Sequence, residues 1–382
     1  GPVFRMYYRG SHANEKMQAA HREVTCYAQS LDGIHWTKPA LGLFEFNGSK
    51  KNNIVWDGVG THCFVVFKDN NPDCPVEAIY KAIARGRPKG KKGLYIFQSP
   101  DGIHWKQMSE GPVITNGAFD SQNLAFWDPH AELYRGYHRT FINGVRAIMT
   151  ETSKDFRSWT EPVHLTYPAG TPNEHLYTNA VRNYPGADHI LLGFPTRFLP
   201  NEGSRVEPIL MTSRDGIQFH RFSDPVIPES APEDRDGNRS NYMTWGVVDI
   251  PGRPNEVSVY ATEAYYAGPD SRVRRFVYRK DGFVSVTAND GAMTTRTLTF
   301  TGKHLVLNYK VNDPTGSVVV QIEDTTGKPV PGFSSDDCQA LKGDQIAGRV
   351  VWKGGDLKNL IGQPLKLRMA LHQAEVYSLR FE

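Results

Sequence analysis

The chain has 382 residues, 39% of them hydrophobic and 22% charged, with a formal net charge of +3. So small a charge carries no electrostatic footprint for nucleic acid, and no apolar run approaches the ~20 residues that span a bilayer as a helix. The 35 glycines and 25 prolines disfavour long helices and point to a turn-rich all-β protein. The cysteines Cys26, Cys63, Cys74 and Cys338 lack metal-ligand spacing, so no metal or other cofactor is expected. Cys26 and Cys63 fall in apolar strand patterns and read as buried thiols.

In chain order, Phe4–Arg9 reads as a strand, and Val24–Ala28 as a second that runs into Ser30-Leu31-Asp32-Gly33-Ile34-His35-Trp36. That heptad is a punctuation mark. It returns at Ser99–Trp105, at Ser153–Trp159 and at Ser213–Phe219, with a fainter fifth copy at Tyr278–Val284. Asp followed by Gly suits a tight turn, because the Asp side chain bonds the backbone ahead and Gly accepts positive φ. Each copy is therefore expected to join two antiparallel strands. The copies lie roughly 55 to 70 residues apart, which is room for one four-stranded sheet and long loops, and such a period signals a propeller. Five blades are expected over 1–290, the first beginning on its second strand and lacking its innermost one.

The second blade opens at Gly60–Phe67, the third at Phe119–Trp127, the fourth at Glu174–Val181 and the fifth at Asn241–Val248. The basic run Arg85–Lys92, set among Gly and Pro, reads as a solvated loop. The charged stretch from Glu229 to Arg239 reads as a surface insertion. After Val286 the turns cease and shorter strands come at Leu305–Tyr309, Ser317–Ile322 and Leu365–Met369. A β-sandwich over 291–382 is expected from that change of pattern.

Ligands of a propeller bind where the innermost strands begin. His62, Asp120, Glu174 and Trp245 stand at those starts, where charge is expensive to keep without a purpose. Glycosidic cleavage needs a carboxyl that protonates the leaving oxygen and a second that activates water or attacks the sugar. Glu174 is assigned as the acid and Asp120 as base or nucleophile, with mutual crowding expected to raise one of the two pKa values. The bland alternatives are that Asp120 caps a turn and Glu174 pairs with an arginine. His62, Arg139, His175, Arg197, Glu207, Trp245 and Glu263 are the substrate-binding candidates. Arg139 and Arg197 could grip a carboxylate or bind sugar hydroxyls, with pairing between blades as the bland alternative, and Trp245 could stack on a sugar face. Trp36, Trp105 and Trp159 belong to the repeat and are assigned to packing.

These turns and the sandwich after them resemble the five-bladed propeller glycosidases of glycoside hydrolase families 32, 43 and 68, family 32 most of all. The resemblance implies a carbohydrate substrate, a secreted or periplasmic setting and three carboxylates on early inner strands. Phe119-Asp120-Ser121 and Asn173-Glu174-His175 look like the second and third of these. Neither matches the Arg-Asp-Pro or Glu-Cys signatures of fructosidases, and the first-blade carboxylate has no counterpart. A sialidase is the rival enzyme, although its turn carries one more residue between Asp and Gly and its fold six blades. The rival from another class is a non-catalytic carbohydrate-binding propeller.

Overall fold

The computed structural model describes residues 3–11, 18–231, 241–263 and 271–382, so most of the predicted charged insertion lies outside the described residues. Among those residues there is no α-helix, only short 3-10 turns and 25 strands assembled into antiparallel sheets. The chain divides into two compact units, Gly1–Val248 with Val259–Phe276, and Asp249–Ser258 with Val277–Glu382.

The first sheet holds β1 (Phe4–Gly10), β2 (Val24–Ser30) and β3 (Ile54–Trp56). The second holds β4 (His62–Lys68), β5 (Tyr80–Gly86), β6 (Gly93–Ser99) and β7 (Lys106–Gln107). The third holds β8 (Leu124–Asp128), β9 (Leu133–Ile142), β10 (Val145–Ser153) and β11 (Val163–His164). The fourth is built from β12 (His175–Leu176), β13 (Arg182–Tyr184), β14 (Ala187–Gly193), β15 (Thr196–Leu199), β16 (Arg205–Ser213) and β17 (His220–Pro225). β18 (Asn241–Met243), β19 (Glu256–Glu263) and β20 (Arg272–Arg279) form the fifth.

The fourth sheet is four ribbons wide, because its first two ribbons are each broken in half. Ala180 sits at φ +43 between β12 and β13, and Pro195, which has no N–H to donate, separates β14 from β15. Glu174–Val181 is therefore an interrupted strand where an unbroken one was expected. The first sheet starts on the strand that corresponds to the second ribbon of its neighbours, since β2, like β6 and β10, ends at the turn serine.

The repeated turn behaves as its chemistry dictates. Ser30 Oγ accepts the Gly33 N–H at 2.8 Å, and Asp32 Oδ1 accepts the Ile34 and His35 N–H groups at 2.8 Å each. Ser99 with Asp101 and Ser213 with Asp215 repeat the pattern. The turn glycines have φ of +70, +76 and +82, and in the third copy Phe156 takes the same region at +63, an uncommon place for a bulky residue. The turn joins β6 to β7, β10 to β11 and β16 to β17.

Those turns also join the sheets into a ring. Tyr7 of the first sheet donates its hydroxyl to Gly102 O of the second at 2.8 Å, and Tyr137 of the third donates to Gly216 O of the fourth at 3.0 Å. Tyr260 of the fifth sheet donates to Gly33 O of the first at 2.5 Å and packs edge-on against Trp36. Phe67 of the second sheet packs on Tyr134 of the third, and Tyr177, next to β12, packs on Tyr242 of the fifth, so sheets in sequence order touch in spatial order and the last returns to the first, which is the adjacency of a propeller. Trp105 packs against Phe64 and Trp159 against Phe156, as expected of residues belonging to the repeat. Tyr260→Phe keeps the ring contact but removes the closing bond, so a loss of about 1 kcal/mol is expected. A lowered thermal midpoint checks this, and an unchanged one would show that the closure rests on packing alone.

The second unit holds β21 (Val286–Thr294), β22 (Leu305–Val311), β23 (Ser317–Glu323), β24 (Asp344–Arg349) and β25 (Lys366–Phe381). The fifth copy of the turn, with Asp281 at φ +52, leads from β20 into β21. β25, at 16 residues, is longer than the short strands expected. Its first half pairs with β21 and β23 and its second with β22. Leu367, Met369 and Leu371 point into the core, and after Gln373 at φ +45 the inward set becomes Ala374 and Val376. That bulge shifts the alternation by one, so a strand crossing between the two halves of a sandwich keeps its apolar face inward. Cys338 is buried in this core, Cys26 is buried in the first unit and Cys63 is only half-buried.

Candidate active site

The same repeat that sets the turns delivers a set of arginines. Arg9, Arg85 and Arg139 each pair with the residue five positions before the turn serine, namely Thr25, Leu94 and Ile148. Arg197 of the fourth sheet pairs with Glu207, one position further from its serine, beyond the break at Pro195. The second ribbons of the first four sheets therefore each carry an arginine near the same level. Arg85 is a strand residue facing a cleft, not part of a solvated loop; of the basic run, only Arg87 to Lys92 turns in the open.

The two predicted carboxylates sit within this set. Arg139, almost fully buried, donates to Asp120 Oδ1, and Asp120 is half exposed. Burial pushes the Asp120 carboxyl up, but the charge and hydrogen bond of Arg139, helped by Arg85, outweigh it and hold the group below the usual carboxylate range. Glu174 accepts from Arg197 Nη1 at 2.9 Å and lies 3.5 Å from Arg221 Nη2. Arg197 also bonds the buried Glu207, which accepts from Arg205 at 2.7 Å. Burial raises the Glu207 carboxyl and the two arginines more than reverse it. The crowding of like charges expected for this pair is thus replaced by an arginine beside each carboxylate.

One chain of contacts links the two. The guanidinium carbons of Arg139 and Arg146 lie 5.1 and 4.9 Å from the centre of the Tyr177 ring. His175 Nδ1 accepts the Arg146 backbone N–H at 3.2 Å, and His175 adjoins Glu174. Burial, and then the Arg146 charge, lower the His175 pKa, in the direction that favours the neutral ring and an accepting Nδ1.

At the start of β4, His62 Nδ1 lies 3.0 Å from Glu23 Oε2, and Arg9 approaches the same pair. Hydrogen bonding to Cys63 and then to Glu23 outweighs burial and raises the His62 pKa to about 9. The folded value lies above the ordinary 6.5, so this interaction contributes its full stability below about pH 6.5 and loses it as pH rises through about 9. His62→Gln is expected to flatten stability across that window in urea titrations at several pH values. An imidazole of His62 that titrates at or below 6.5 by NMR would refute the pairing. His62 and Arg85 line an open cleft of about 380 Å³ with Gly60, Thr61 and Gly86.

Two predicted residues stand apart from this arrangement. Trp245 donates its Nε1–H to Val181 O at 2.7 Å and packs near Phe126, a filling role between sheets. Glu263 is fully buried and held by Arg272 and Arg274. Sequence reasoning missed Glu23, Arg85, Arg146 and Arg221. Arg85 shares with Arg139 a place near the end of a second ribbon, a signal that could have found it; Glu23, Arg146 and Arg221 carry no local signal.

Neither a protein-family model nor a curated protein matches the chain. Solved structures similar to it include a glycoside hydrolase at 12% identity, over 72% of this chain and 84% of that one, with a TM-score of 0.49. The β-1,2-mannobiose phosphorylase from Listeria innocua is similar at 15% identity over 67% of each chain, TM-score 0.48. The GH32 β-fructofuranosidase of Bombyx mori is similar at 10% identity over 99% of this chain and 89% of that one, TM-score 0.47. At such values the chemistry of this chain rests on its own residues.

Proposed function

We propose that the chain is a glycoside hydrolase acting on poly- or oligosaccharides at the mouth of a five-bladed propeller, with Glu174 as general acid and Asp120 as base or nucleophile. The observation that carries this reading is the continuous contact path from Asp120 through Arg139, Tyr177, Arg146 and His175 to Glu174 at the openings of adjacent sheets. Arg139 keeps Asp120 ionised, as a base or nucleophile must be. Arg197 and Arg221 hold Glu174 in place, and His62 and Arg85 border the approach. The distance between the two carboxyl groups with sugar bound decides whether configuration is retained or inverted.

The arginine grip on both carboxylates favours one second reading, a propeller that binds sugar without cutting it. Hydrolysis of an oligosaccharide panel by the wild type and by the Asp120→Asn, Glu174→Gln double variant separates the two. Release of reducing ends by the wild type alone supports the hydrolase. Equal release by both, or glycan binding without release by either, removes it.

A further inference from the structure

The charges around Asp120 and Glu174 do not balance. Arg85, Arg139, Arg146, Arg197 and Arg221 face Asp120, Glu174 and Glu207, and Glu207 is shared with Arg205. Among the described residues, Arg85 and Arg146 have no carboxylate within ion-pair distance. Arg146 is nonetheless firmly placed. Its guanidinium lies 4.6 Å from the Phe198 ring centre, 4.9 Å from Tyr177 and 5.7 Å from Phe141, and its backbone N–H is bonded to His175. Aromatic faces attract a cation without neutralising it. The Nε–H groups of Arg139, Arg146 and Arg221 are buried and have no acceptor among the described residues, which a folded protein seldom tolerates without use. Held cations and unanswered donors beside a reaction centre are what an anion requires, since guanidinium forks match carboxylate and sulfate oxygens.

We propose that the sugar bound here carries an anionic group, a uronate carboxylate or a sulfate ester, received by Arg146 beside the Asp120–Arg139 pair, with Arg85 adding its charge from the cleft. This rests on the hydrolase reading for the identity of the ligand as a sugar, while the charge preference is measured by binding alone. Titration calorimetry on the full chain would compare galacturonate, glucuronate and mannuronate trisaccharides with their carboxyl-reduced counterparts, and 6-sulfated galactose with galactose. The expected result is binding of one charged ligand about tenfold or more tighter than its neutral partner, a preference that shrinks as salt is raised. Arg146→Gln should abolish the preference by weakening the charged ligand about tenfold more than its neutral partner, Arg85→Gln should reduce it, and Arg146→Lys should restore part of it. Preference in the sulfated arm identifies the anion as an ester, and in the uronate arm as a carboxylate; either supports the inference. Equal affinity for charged and neutral ligands, binding of none, or equal weakening of both by Arg146→Gln overturns it. Charge-selective binding without cleavage of any ligand removes the hydrolase and leaves the anion site standing, whereas cleavage of neutral sugars without charge preference does the reverse.

Discussion

Glu174→Gln is expected to lower kcat on a native oligosaccharide by about 10²- to 10⁴-fold, the usual worth of a positioned general acid. The same variant should lose far less on a nitrophenyl glycoside, because nitrophenolate departs without needing a proton. Glutamine is nearly isosteric and can still accept from Arg197, so the site geometry around Glu174 is largely kept. Asp120→Asn should lower kcat on both substrates, since the base or nucleophile acts whatever the leaving group. The ratio of the two losses is therefore the readout. If Glu174→Gln impairs the aryl glycoside as severely as the oligosaccharide, Glu174 is not the acid, and its bonds to Arg197 and Arg221 give its whole role. A loss that appears only in KM would likewise place Glu174 in binding.

Much of this molecule is legible from one heptad. Ser30–Trp36 and its copies place a turn whose Ser and Asp side-chain bonds are local, so the turn, the strand before it and the strand after it come from side-chain chemistry without knowledge of the rest. The change of pattern after Val286, where the repeat ceases, is readable for the same reason, although the second unit also takes in Asp249–Ser258 and resumes at Val277. The breaks in the fourth sheet are not, although Pro195 is a visible warning, because Ala180 adopts a positive φ that nothing in its type requests. The length of β25 is hidden by Gln373, whose bulge shifts the alternation halfway. At the site, inner-strand starts point to Asp120, Glu174 and His62, but what surrounds each carboxylate depends on arginines up to 47 residues away, as with Arg221 and Glu174. Local pattern contains no information about such pairings. Arg85 is the instructive omission: composition groups it with the basic run up to Lys92, whereas the register of β5 against β6 groups it with Arg9 and Arg139.

Lys81→Met is expected to destabilise the first unit by about 3–5 kcal/mol, several times the loss expected when the Tyr260 bond is removed. Lys81 and Asp69 are both buried on the second sheet, and the ammonium bonds the carboxylate directly. It also donates to Ala78 O at 3.3 Å and approaches Cys74 Sγ at 3.1 Å, between the rings of Tyr134 and Phe156. Asp69 in turn accepts the Tyr134 hydroxyl at 2.7 Å and the Asn71 N–H at 2.9 Å, so the pair ties the second sheet to the third. Methionine fills similar space but leaves a carboxylate in the interior with two neutral donors and no counter-charge. Desolvation of that ion, more than the loss of one attraction, sets the cost. Removing both charges as Asp69→Leu with Lys81→Met should therefore recover a substantial part of the loss, short of full recovery because the Tyr134 and Asn71 bonds go too. Urea titrations of the two single variants and the double variant measure the coupling. A double variant as unstable as the sum of the singles would show that the ions act independently and that water reaches Asp69.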